Sequence, residues 1–129
     1  MERAAKVRKI AGKNKMILPN AENAFIDLRK LRDYSLNFES PKGRHKARLF
    51  ASALGITSED AVYLQSVLFE AVKKYEAETG ELDLFGQRYT VDFQLTTKVG
   101  EATVRSGWIV LHAENFPRLT TCYVLKRGK

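Results

Sequence analysis

An α+β domain, with N-terminal helices packed on one face of a three- to four-stranded antiparallel sheet, is the fold class predicted by three observations. Apolar residues recur at helical spacing as far as about Glu78, and those from Tyr89 onward alternate with polar ones or form β-branched and aromatic runs. The later runs are separated by loops too short to hold crossover helices, which makes the strands antiparallel neighbours. With 129 residues, 44% of them hydrophobic and 29% charged, the chain has the size and balance of one folded domain.

Residues 1–18 carry six Lys or Arg against one acid and read as a basic arm, followed by a single domain over residues 19–129. Pro19 and Asn20 punctuate the arm, residues 24–26 read as extended, and Asp27 is placed to cap a helix over residues 28–36. The stretch NFESPKG at residues 37–43 has loop composition. Ala47, Phe50, Ala51 and Leu54 then mark one face of a second helix, which Gly55 ends. Thr57 and Asp60 have the spacing of a capping box, and Leu64, Val67, Leu68, Ala71, Val72 and Tyr75 carry a third helix to about Glu78. Gly86 precedes a strand in which Tyr89, Val91, Phe93 and Leu95 share a face, and residues 102–112 and 118–125 supply two more. Gly107 offers a bulge in the middle one. Parity without a bulge would put Arg118, Thr120 and Cys122 on one face, with Leu119, Thr121 and Tyr123 on the other.

The charge is unevenly placed. Residues 1–48 hold 13 Lys or Arg against 5 Asp or Glu, residues 49–100 hold 4 against 8, and residues 101–129 hold 5 against 2, for a formal net charge of +7. If the basic ends meet in the fold, one positive face results, as expected for a polyanion such as RNA or another nucleic acid. No run approaches the roughly 18 to 20 apolar residues needed to cross a bilayer, so the expected place of action is a cytoplasm, either its own or one into which it is delivered. Cys122 is the sole cysteine, which excludes a disulfide framework. Only His45 and His112 are available to a metal, the carboxylates show no ligand spacing, and the glycine-rich phosphate loops and serine-hydrolase elbows are missing. Neither metal nor cofactor is expected.

The densest chemical signal is KGRHKAR at residues 42–48, four basic side chains and a histidine at one helix start without an acid. A helix N-terminus already offers free N–H groups and a positive dipole end, so Lys42, Arg44, Lys46 and Arg48 there make an anion site. Cationic neighbours would keep the His45 imidazole neutral and able to accept a proton, with His112 at a strand end as a second candidate. On the strands, Arg88, Arg105 and Arg118 would converge on a phosphate, assisted by Thr120, and Trp108 or Tyr123 would stack a base if exposed. The plainer alternative is a solvated basic helix face and arginines on the water side of a sheet.

The segments IDLRKLRDYSLN, PKGRHKARLFASALG, GQRYTVDFQL, SGWIV and PRLTTCYVL, in that order, resemble an uncharacterised bacterial domain family of unknown function. The resemblance covers about residues 17–125. It implies a part in bacterial conflict, as a toxin-like module with an acidic antitoxin or immunity protein as possible partner. Helices followed by an antiparallel sheet are also similar in architecture to the small metal-independent ribonucleases of the barnase, EndoU, colicin and RelE types. That similarity implies RNA cleavage by 2′-OH attack, with His45 as acid or base, Lys46 and Arg48 holding the phosphate, and Arg105 or Arg118 with Thr120 stabilising developing charge. The other expectation is a non-enzymatic nucleic-acid-binding or protein-interaction module using the same basic groups.

Overall fold

The computed structural model describes residues 16–125. Helix α1 (Leu28–Lys30) opens on the Asp27 side chain, which accepts the Arg29 N–H at 3.0 Å, as its spacing predicts. It runs directly into a wider π-type turn, Leu31–Ser35, closed by the Leu36 N–H donating to the Leu31 carbonyl five residues back. The wider turn brings Leu31, Ser35 and Leu36 all to buried positions. Helix α2 (Arg44–Leu54) buries Ala47, Phe50 and Leu54 and ends at Gly55 with φ 69°. The Thr57–Asp60 capping box forms and leads into α3 (Ala61–Val72).

Four antiparallel strands follow in the spatial order of the chain: β1 (Ala77–Leu82), β2 (Gly86–Thr96), β3 (Glu101–Leu111) and β4 (Arg118–Val124). The third helix thus stops six residues before the predicted Glu78, and residues 77–82 form an edge strand instead. Tyr75 explains the difference. Its spacing suits the helix, but the ring packs against Phe93 of the sheet at 5.9 Å between centroids, and beyond it the Ala77 backbone finds partners in Met16 and Val91. Thr79 and Gly80 add little helix propensity to oppose that pairing.

All helices lie on one face of the sheet, where Phe50, Leu64 and Leu68 meet Val91, Phe93, Val104 and Trp108 in a single core. Ile17 and Leu18, which composition assigned to the arm, belong to this domain: Leu18 is buried and Ile17 bridges Glu76 beside β1. Residues 1–15 of the expected arm lie outside the described residues. At the opposite edge, Phe25 makes a parallel bridge with Arg118 of β4. Its N–H donates to the Pro117 carbonyl at 2.8 Å, and its carbonyl accepts from Leu119 at 3.0 Å. The short segment from Met16 to Ile26 therefore touches both outer strands.

One irregularity decides which residues face outward. Gly107 pairs with Thr121 while the next residue, Trp108, pairs with Leu119, so Thr120 is an extra residue in β4. The parity expected for an unbroken strand fails here. Leu119, Cys122 and Val124 all point into the core, and Cys122 does not share a face with Arg118 and Thr120. The bulge expected at Gly107 lies at this point, with its extra residue on the partner strand.

Candidate functional site

Helix α2 starts where the loop before it becomes rigid. The buried Ser40 accepts the Gly43 N–H through its hydroxyl at 3.1 Å, and its carbonyl accepts the Arg44 N–H at 2.9 Å. With Ala47, Phe50 and Leu54 committed to the core, the 3.6-residue period turns Arg44, His45 and Arg48 to solvent. Lys42 is exposed beside them, and the first turn contains no acidic residue. Among the described residues none of these four makes an ion pair or side-chain hydrogen bond.

Lys46 behaves differently because it points toward β4. Its ammonium donates to Thr121 Oγ1 at 3.2 Å and lies 4.9 Å from the centre of the Tyr123 ring. Arg105, the cross-strand partner of Tyr123, makes a two-pronged pair with Asp92, both contacts at 2.8 Å. Those hydrogen bonds to Asp92 hold the guanidinium above its ordinary range. A row Asp92, Arg105, Tyr123, Lys46 thus crosses three strands and ends on the helix. Chain positions 46, 105 and 123, each singled out from the sequence, meet here, and Thr120 lies beside the row across Gly107.

A family described as Domain of unknown function (DUF6883) matches residues 17–126. The chain belongs to the DUF6883 family. No curated protein and no solved structure matches it. The match takes in both the basic start of α2 and the row on the sheet, and it begins at the residue that bridges Glu76.

Other predicted site residues of this DUF6883 domain are drawn elsewhere. Arg118 pairs with Glu114 at 2.7 and 2.6 Å and is flanked by the rings of Phe25 and Phe116, each 5.1 Å away. Arg88 pairs with Asp83 at 2.7 Å. Each strand arginine therefore has its own carboxylate, and the expected convergence of Arg88, Arg105 and Arg118 on one phosphate does not occur. Register explains part of it: Arg88 and Arg118 flank Ile109, four residues along β3 from Arg105 and so about 13 Å away.

Trp108 is withdrawn as a stacking platform, because it is 0% exposed and its indole N–H donates to Ser106 Oγ at 2.8 Å. Burying so large a ring requires a partner for that N–H, and the Ser106 hydroxyl in turn donates to the Val91 carbonyl. His112 is held by its Nε2–H to the Asp83 carbonyl at 2.9 Å, in the same turn that Arg88 braces. Burial pushes the Cys122 thiol up to about 12, so it is no nucleophile.

A groove of about 710 Å³ runs between α3 and the sheet, with Phe69, Tyr75 and Phe93 among its walls; none of the predicted site residues lines it. Among the described residues no group of three or more His, Cys, Asp or Glu is placed to hold a metal, and no helix is long and apolar enough to cross a membrane. Sequence reasoning did not place Asp92 or Thr121 in the site, and it marked Gly107 only as a bulge position. The usable signals were the Thr-Thr pair facing a lone strand glycine, and an Asp on the polar face of β2 one register step from an Arg.

Proposed function

We propose that this domain is a non-enzymatic RNA-binding module whose footprint centres on the start of α2. The observation that carries the reading is the contrast between two sets of cations. Arg88, Arg105 and Arg118 are neutralised by carboxylates, whereas Lys42, Arg44 and Arg48 are exposed with no described carboxylate bonded to them. Cations that a fold leaves unpaired on one surface are available to phosphates, and each contact releases condensed counterions. Binding is favoured over cleavage because in-line transfer needs an acid and a base around one scissile phosphate, and His45 meets neither the strand arginines nor His112.

The test combines affinity with end-group chemistry. Fluorescence anisotropy with a labelled RNA should give saturable binding that weakens with salt, at a log–log slope near −0.7 per phosphate contacted. Arg44→Glu with Arg48→Glu should abolish it while leaving the fold intact by circular dichroism. Incubation with total RNA in EDTA should leave the RNA whole. Products ending in 2′,3′-cyclic phosphate would replace this reading with the ribonuclease one, and absence of RNA binding would redirect it to an acidic protein partner such as an antitoxin or immunity protein.

A further inference from the structure

Lys46 is half-buried, yet no carboxylate among the described residues accompanies it; its described partners are one hydroxyl and one aromatic ring. An ammonium has three donors, so two remain for something else. The extra residue in β4 supplies what surrounds them. Thr120 and Thr121 both turn their side chains toward Gly107, where an added Cβ would lie 2.9 Å from Thr121 Cγ2 and 3.0 Å from Thr120 Oγ1. A regular strand would have sent one of these threonines to the opposite face. Gly107 thus makes room for the Thr121 methyl and the Thr120 hydroxyl at the edge where the ammonium meets Thr121 Oγ1.

We infer that Lys46, Thr120 and Thr121, arranged around Gly107, form a seat for a single phosphate group. The ligand class rests on the RNA-binding reading. The chemistry is that of a tetrahedral oxyanion: one point charge and two hydroxyl donors, whose threonines a side chain at position 107 would displace. Asp92, the nearest carboxylate along the row, is already engaged by Arg105, and Arg105 and Tyr123 separate it from the seat. The exposed cations of α2 then serve the neighbouring phosphates of the same strand.

The experiment titrates inorganic phosphate into the full chain followed by ¹H–¹⁵N spectra, with RNA anisotropy measured on the same preparations. Saturable shifts centred on Thr120, Thr121 and Gly107, weakened by at least about tenfold in affinity in Lys46→Met and Gly107→Val, are expected. Thr121→Val, which keeps volume while removing the hydroxyl, provides a second route if either variant fails to fold. Shifts confined to residues 42–48, or unchanged binding in the folded variants, would overturn the seat while intact RNA binding left the wider reading standing. Phosphate binding at the seat with no RNA binding would keep the seat and remove RNA as its source.

Discussion

Phe50 is fully buried in the core where α2 faces the sheet. Phe50→Ala should cost on the order of 3 to 5 kcal/mol in chemical denaturation. His45, five residues earlier on the same helix, is exposed, so His45→Ala should change stability by less than about 0.5 kcal/mol and weaken RNA binding only in part. A large drop in melting temperature in that variant would show a structural histidine. The contrast between these two residues was legible in the sequence, because helical period assigns both faces. Trp108 was not legible in the same way: strand alternation places it on the Ser106 face but does not say which face is covered. Lys46 could be named from composition, while its partner Thr121, 75 residues later, could not, since local pattern does not say that α2 packs beside β4.

At the scale of elements, the ends of β1 and β4 are fastened by carboxylate–arginine pairs. Asp83 and Glu114 are both held below the usual carboxylate range, chiefly by hydrogen bonds from Arg88 and Arg118. A carboxylate depressed in the folded state contributes its full stabilisation above its unfolded pKa and loses it as pH falls through the lower folded value. Stability should therefore decline below about pH 4. Glu114→Gln should be less stable than the parent at pH 7 and show a shallower decline on acidification, measured as denaturant midpoints from pH 7 to pH 2.5. The helices and long strands were readable from hydrophobic period. β1 was not, because its burial is confined to Ala77 and its pairing is set by what β2 and Met16 offer rather than by its own pattern.

For the molecule as a whole, the excess positive charge is concentrated in the first 48 residues, and six of those cations belong to residues 1–15. Deleting residues 1–15 should weaken RNA affinity and make its salt slope shallower by about 0.7 for every phosphate that those residues neutralise. An unchanged slope would place them outside the footprint. The α+β class and the helices-on-one-face arrangement follow from helical segments preceding alternating ones, and a sheet in chain order needs no crossover for the sequence to conceal. What stayed hidden was charge pairing. Composition counts Arg88, Arg105 and Arg118 as available, and only register and turn geometry assign each one an acid.

The segment from Met16 to Ile26, which bridges Glu76 with Ile17 at one side of the sheet and Arg118 with Phe25 at the other, also bears on what the sheet offers to other molecules. An open sheet has two rims of unpaired backbone groups, each a template for another molecule's strand. Here one stretch of chain occupies part of both, so removing it would uncover two adhesive rims at once and permit end-to-end growth. A chain starting at residue 27 should accordingly run as a concentration-dependent series of oligomers in size-exclusion chromatography with light scattering. A clean monomer from that chain would show that the strands need no such cover.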